Sequence, residues 1–356
     1  MSNRKDDGVR AVNRDFSRYD QVDKSHTYRL AGGTPDEYDE SFVLPICDIG
    51  QLFEGGADGR QSFAEQLGGS LERIGFACIH GHGIDPVLWN QAEARVIDLF
   101  TRPSLDDKLR FRAARHGSVN QGYFPIKETS EIHPDLVEGW VFCRRAFDLD
   151  GDPGYDASRF WALPEHEPHF RRIVEANERL ILPLTQAIFR YLGCDPHLYD
   201  EKLTGTNIGL RLNYYPPIRQ RDEASGAGRL LGHEDVDLFT LLPAPRVEGL
   251  EAWNRASGRW VRLDAPPGSL ILNTGDYMQR ITNDRLRSTT HRVSQPRDES
   301  QRGTTRVSIP MAVYLAEDEL LEVLPGLGRP RYEPIMAITF HTRSTSKFYG
   351  DGYAVD

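Results

Sequence analysis

The spacing of apolar residues changes character near Thr206. Upstream, Phe63, Leu67, Leu71 and Ile74 recur at helical intervals, as do Phe170, Ile173, Val174, Leu180, Leu184, Ile188 and Leu192. Side chains three and four apart share one face of a helix, so both stretches are predicted helical, the second over Pro168 to Leu192 with a kink at Pro183. Asp85-Pro86 offers an N-cap and a first-turn proline for another helix reaching about Phe100. The runs Phe42 to Ile46 and Gly75 to Ile79 read as strands, the latter ending in the turn His80-Gly81-His82-Gly83. His166 and His169, at an acid-rich helix start, read as solvated capping residues.

Downstream the period is two, and short β-type runs alternate with turns: Ile208 to Tyr215, Leu238 to Leu242, Trp260 to Leu263, Ser269 to Asn273, His291 to Ser294 and Arg306 to Tyr314. Many short strands with regular turns predict a double-sheet jelly roll or a barrel. A last helix is expected around Phe340 to Tyr349, placed as a lid over the functional site. Residues 1–40 are polar and carry the turn cluster Gly32-Gly33-Thr34-Pro35, so they read as a flexible arm. The expected organisation is that arm, a mixed but mostly helical region over 41–200, and a β-rich catalytic core over 201–356.

With 356 residues, 39% hydrophobic and 27% charged, the chain has the composition of a folded globular protein. Its formal charge of -10, with no block of Lys and Arg, disfavours nucleic acid and anionic membrane as partners. No apolar run approaches the roughly 18–20 residues that span a bilayer. Cys47, Cys78, Cys143 and Cys194 are far apart, which fits free thiols in a reducing cytoplasm better than a disulfide framework. Nothing in the pattern specifies an oligomeric state.

Chemistry enters at Leu231-Gly232-His233-Glu234-Asp235-Val236-Asp237. On a strand, His233 and Asp235 face the same side and can share one metal. A third imidazole, His291, lies 58 positions on and has to be brought round by the fold. Two imidazoles and one carboxylate leave coordination positions open for O2 and a chelating co-substrate, which suits iron(II). A closed zinc site would need a fourth protein ligand, and none is found. Fifteen residues after His291, Arg306-Val307-Ser308 puts a guanidinium and a hydroxyl on one face, as a carboxylate clamp requires. Iron(II) with Asp235 leaves one positive charge; a dianionic 2-oxo diacid makes it one negative, and Arg306 restores neutrality, as a dry pocket demands.

With these motifs in order, from about Leu44 to Tyr349, the chain resembles the isopenicillin N synthase-like branch of the 2-oxoglutarate and iron(II)-dependent dioxygenases. Further matching blocks are Gly75-Phe76, His82-Gly83-Ile84, Gly122-Tyr123, Asn213-Tyr214-Tyr215-Pro216, Gly249-Leu250, Gly275-Asp276 and His291-Arg292-Val293. The resemblance implies a double-stranded β-helix of the jelly-roll, cupin-like kind with N-terminal helices. It implies Fe(II) on His233, Asp235 and His291, and 2-oxoglutarate on Arg306 and Ser308 with Tyr215 and Asn213 completing its pocket. O2 would be the second co-substrate, and a small molecule would be hydroxylated, desaturated or cyclised through a ferryl group, releasing succinate and CO2.

On the substrate side, the resemblance points to Phe124, Lys127, Trp140, Phe142 and Arg144. Arg211 alternates with Asn213 and Tyr215, so it either meets a substrate carboxylate or forms a structural ion pair. Asp237 either receives a basic or hydroxyl-bearing substrate group or faces a turn. Two other functions stay open at this point: an oxidase of the same branch that uses no oxo acid, and a non-catalytic binding module.

Overall fold

The computed structural model describes residues 20–21, 24–27, 37–126, 135–204, 207–218 and 229–349. Its larger sheet has ten strands. From one edge they run β3 (Ile46–Asp48), β4 (Phe76–His80), β13 (Leu270–Thr274), β10 (Phe239–Pro243), β16 (Met311–Tyr314), β8 (Asn207–Tyr215), β7 (Glu138–Cys143), β6 (Val119–Phe124) and β5 (Ala114–His116). The tenth, β15 (Arg306–Ser308), pairs with the distal half of β8. A smaller sheet orders β12 (Arg259–Arg262), β11 (Leu250–Asn254), β14 (His291–Val293) and β9 (Leu230–His233). Two short hairpins stand apart, β1 (Asp20–Gln21) with β2 (Lys24–Thr27), and β17 (Leu320–Leu321) with β18 (Ile335–Met336).

From β8 onward the chain alternates between the sheets. It passes from β8 to β9, back to β10, across to β11 and β12, back to β13, across to β14 and back to β15 and β16. That winding is a double-stranded β-helix, and it places consecutive strands on opposite walls of one cavity. The expected single strand from Arg306 to Tyr314 is broken into β15 and β16 around Pro310, which has no N–H to give a ladder.

The helices lie behind the larger sheet. In α1 (Gly56–Ile74), Phe63, Leu67, Leu71 and Ile74 are buried, and the helix ends at Gly75 in the left-handed conformation, φ 75°. A Cβ at Gly75 would also stand 2.4 Å from Thr289 Oγ1, so glycine is required there for space as well as dihedral. The next helix, α2 (Pro86–Thr101), is capped by Asp85 accepting from Val87 N. The longest, α3 (Glu167–Leu192), contains Pro183 and crosses α1 so closely at Gly68 that any Cβ there would collide with the Tyr191 ring. A fourth, α4 (Ala337–Tyr349), packs back towards the cavity between the sheets, whose lining includes His341 and Thr345.

Three findings depart from the expectations. The 41–200 region contributes β3 to β7 to the larger sheet, so it builds part of the cavity wall as well as the helical layer. Tyr38, inside the expected arm, bridges to Trp260 and donates to Glu251, 2.9 Å, under the Arg262 guanidinium. His166 and His169 are buried rather than solvated. Each satisfies one ring nitrogen on α2, His166 at 2.9 Å from Asp98 and His169 at 3.0 Å from the Leu88 carbonyl.

Burial, with the Arg95 charge nearby, pushes His169 down to about 4 from the ordinary histidine value of 6.5. The folded state therefore refuses a proton that the unfolded chain accepts, and His169 removes stability as pH falls from about 6.5 towards 4. Urea unfolding of metal-free protein should lose less stability between pH 7 and pH 5 in His169→Gln than in wild type. Parallel losses in the two proteins would contradict this placement of His169.

Candidate metal centre and co-substrate cavity

The two sheets enclose a cavity of about 240 Å³. Register alone assembles half of its metal-binding corner. His291 on β14 sits directly across from His233 on β9, with ring centroids 4.3 Å apart. The edge of Phe76 packs on His291, 5.4 Å between centroids, and His291 Nδ1 donates to the Thr289 carbonyl at 3.0 Å. That bond fixes the tautomer and leaves the lone pair on Nε2, the nitrogen that faces Asp235 at 3.7 Å.

Asp235 comes to the corner differently from the sequence argument. The strand β9 ends at His233, so strand alternation does not aim this carboxylate. It is aimed from the facing sheet: Asn273 on β13 donates to Oδ2 at 2.8 Å, and Thr240 on β10 donates at 3.2 Å. The Asp235 carbonyl is held by Asp276 N and by Ser288 Oγ. Asp235 Oδ1 then lies 3.6 Å from His233 Nε2, and the three ligand atoms all fall within 4.8 Å of one another. Burial would raise this carboxyl, but His291 and His233 beside it, with Asn273 and Thr240, hold it below the usual carboxylate range. An anionic carboxylate between two imidazoles suits a divalent cation with open positions.

The other corner is set by β15 against β8. Arg306 pairs with Tyr215 and Ser308 with Asn213 in register. Asn213 Nδ2 donates to Ser308 Oγ at 3.1 Å, Tyr215 Oη is 3.4 Å from the same oxygen, and the Arg306 guanidinium lies 5.0 Å from the Tyr215 ring centroid. Arg306 is 1% exposed, and its Nε donates to the Val247 carbonyl at 3.2 Å. Its Nη1 and Nη2 have no hydrogen-bond partner among the described residues. Two parallel orphan donors on a buried guanidinium are a fork waiting for a carboxylate. The donor set thus fits both groups that the resemblance implies, a ferrous ion at the His-Asp-His corner and a dicarboxylate at the arginine.

The structure brings together His233, Asp235, His291, Arg306, Ser308, Asn213, Tyr215 and Arg211 on this cavity. Five other expected residues do not reach it, and Lys127 lies outside the described residues. Trp140 and Phe142 face the helical layer, because alternation along β7 gives the cavity Val141 instead; the Phe142 ring stacks on Trp161 at 3.7 Å. Arg144, past the end of β7, pairs with Glu178. Phe124 is not itself in the lining but packs against residues that are, its ring 5.7 Å from the Arg211 guanidinium and clustered with Val119 and Val141.

Asp237 is buried away from the cavity, with Thr240 Oγ1 2.6 Å from its Oδ2. Burial and the neighbouring Asp235 charge push Asp237 well above the usual carboxylate range, and the Thr240 hydroxyl bridges the two carboxyl groups. Asp237 thus stands behind Asp235 and off the cavity lining.

Sequence reasoning missed Asn273, Thr240, Arg229 and His341. Arg229 is 1% exposed, with Nε and Nη1 unpartnered among the described residues. Burial and the nearby Arg306 push it down to about 10. Only period-two placement of Asn273 and Thr240 on inward faces could have flagged the first two.

A double-stranded β-helix with two imidazoles, one carboxylate and a buried arginine fork defines an iron(II) and oxo-acid oxygenase. Residues 207–313 match the 2OG-Fe(II) oxygenase superfamily, and residues 44–166 match the region described as non-haem dioxygenase in morphine synthesis N-terminal. A 2-oxoglutarate-dependent dioxygenase of Monascus ruber, citB, is 32% identical over 71% of this chain and 80% of its own length. A 2-oxoglutarate-Fe(II) type oxidoreductase of Metarhizium majus, ppzC, is 26% identical over 86% and 87%. Among solved structures, a 2OG-Fe(II) oxygenase family protein of Caulobacter crescentus superposes with a TM-score of 0.69 at 28% identity, covering 84% of this chain and 96% of that one. This chain belongs to the 2OG-Fe(II) oxygenase superfamily. It is an oxidoreductase of the 2-oxoglutarate-dependent dioxygenase type, which uses Fe(II), 2-oxoglutarate and O2, and the reading as an oxidase without oxo acid has no support.

Proposed function

We propose that His233, Asp235 and His291 hold the iron, that Arg306 and Ser308 hold the distal carboxylate of 2-oxoglutarate, and that Tyr215 and Asn213 position that clamp. The observation that carries this reading is the pair of orphan Nη groups on buried Arg306, on the same cavity as the His-Asp-His corner. Bound iron(II) supplies the redox chemistry: one O2 and one 2-oxoglutarate become succinate, CO2 and one oxygen atom's worth of oxidation on the substrate.

The protein's own part is positioning. Asn273 and Thr240 keep the Asp235 carboxylate turned to the metal, and Thr289 keeps the His291 lone pair there. Arg211 is assigned to the substrate side. Residues 41–200 serve as the supporting half and 201–356 as the catalytic core. The scattered, unpaired cysteines and the charge of -10 fit a cytoplasmic enzyme acting on a small molecule rather than on nucleic acid or at a membrane. No described helix is long and apolar enough to cross a membrane.

Conversion of 2-oxoglutarate to succinate tests the reading. Iron-loaded protein should form succinate slowly alone and faster with its substrate, and not at all after chelation of the metal. Succinate formation that survives complete metal removal would overturn it.

A further inference from the structure

Past the clamp, the cavity wall carries two polar groups that the protein leaves without an obvious counterpart. Along β8, residues 209, 211, 213 and 215 all line the cavity, in steps of roughly 6.6 Å per two residues. Tyr215 and Asn213 belong to the clamp; Arg211 comes next. Its Nε donates to Asn213 Oδ1 at 2.8 Å, and no carboxylate pairs with it among the described residues. Asp135 also lines the cavity but has its own partner. Asp235, the metal, the oxo diacid and Arg306 balance among themselves, so the Arg211 guanidinium on the cavity wall is left available to a substrate anion.

One further step along β8, Gly209 leaves room for the Tyr314 ring, with Cε2 3.6 Å from where a Cβ would stand. On Tyr314 rests His341 of α4, 5.1 Å between centroids, with Tyr277 edge-on at 6.1 Å. His341 is 5% exposed, lines the cavity, and its Nδ1 has no hydrogen-bond partner among the described residues. Burial pushes its pKa down to about 3, so at neutral pH it is an uncharged imidazole with one N–H and one lone pair. Two tyrosine edges fix the ring plane, and a buried polar atom without a partner is one that a ligand can satisfy.

We propose that Arg211 and His341 are the specificity-determining pair of the substrate subsite, and that the substrate is a small organic acid whose carboxylate meets Arg211 while a hydroxyl or amide group meets the His341 imidazole. This deepens the function proposed above and rests on it, because Arg211 is left for substrate only when the oxo acid occupies Arg306. Among the described residues the cavity offers about 240 Å³, and the co-substrate takes part of it.

The test presents iron-loaded enzyme, 2-oxoglutarate and O2 with a panel of small hydroxy acids and N-acyl amino acids, each beside its primary amide. At least one acid should raise succinate formation about tenfold or more over the substrate-free rate, and its amide should not, because the half-buried Arg211 guanidinium would be left facing a neutral group in place of a carboxylate. For that acid, Arg211→Gln should erase the preference over the amide. His341→Leu should raise KM about tenfold with a smaller change in kcat, and His341→Gln, which keeps a donor and an acceptor, should recover most of the loss.

Binding of 2-oxoglutarate, measured anaerobically in each variant, separates the two readings. If wild type does not bind it, the co-substrate assignment fails. If wild type binds it but amides stimulate as well as acids, or no acid stimulates, the substrate class is wrong; an unchanged KM in His341→Leu removes that residue from the subsite.

Discussion

Replacing Asp235 with alanine is expected to abolish turnover while leaving the fold intact. The two imidazoles would remain face to face, but the only anionic donor of the cluster would be gone, and with it the charge that favours a dication over bulk water. Losing a partner of a ligand costs about 10–100-fold in metal affinity, so losing the ligand itself should cost at least that much, and activity should fall below about 1% of wild type. Stability should change by no more than about 1 kcal/mol, because the orphaned Asn273 and Thr240 donors border a cavity that water can enter. Anaerobic iron(II) titration with parallel melting curves checks both halves. Full iron affinity in Asp235→Ala would remove this residue from the metal site.

Arg306→Met should produce two effects of opposite sign. Truncating one partner of a buried, hydrogen-bonded charge pair costs about 2–5 kcal/mol of binding, which at about 1.4 kcal/mol per tenfold weakens 2-oxoglutarate by roughly 30- to 4,000-fold. Iron affinity without co-substrate should not change. In the ligand-free protein, however, Arg306 is a buried cation with two unmet donors, and replacing it with an apolar chain of similar length removes that desolvation cost. The variant should therefore be as stable as wild type or up to about 3 kcal/mol more stable without ligand, and should gain less stability on adding 2-oxoglutarate. Equal co-substrate affinity in the two proteins would overturn the clamp, and a large loss of ligand-free stability would mean Arg306 is structural.

The residues proposed for the triad and the clamp are legible in the sequence because both are local patterns joined by a fold with strict alternation. His233, His291, Arg306 and Ser308 sit on strands whose period of two could be counted, and β9 to β14 and β8 to β15 pairing then sets them opposite one another. Asp235 was named correctly as a neighbour of the histidines but for an insufficient reason. It lies past the end of β9, and its direction comes from Asn273 and Thr240, 38 and 5 residues away, on the facing sheet. Contacts of that kind have no spacing to read.

The same limit explains the substrate side. Trp140 and Phe142 are aromatic, near the cavity in sequence and one residue out of phase with it, since β7 turns Val141 inward. His341 is a different case: its helix is expected over the site, but which of its side chains turns to the cavity depends on how the helix packs in the closed fold. His166 and His169, read as solvated because acids surround them, are buried because α3 packs its first turn on α2.

The most direct measurement is anaerobic titration of metal-free protein with iron(II) and then with 2-oxoglutarate, following the visible charge-transfer absorption that a chelated oxo acid gives on ferrous iron. One iron and one 2-oxoglutarate per chain should bind, with the absorption requiring both, absent in Asp235→Ala and demanding far more oxo acid in Arg306→Met. Iron binding without any response to 2-oxoglutarate, or a response that persists unchanged in both variants, would contradict a ferrous centre and an arginine-held oxo acid sharing this cavity.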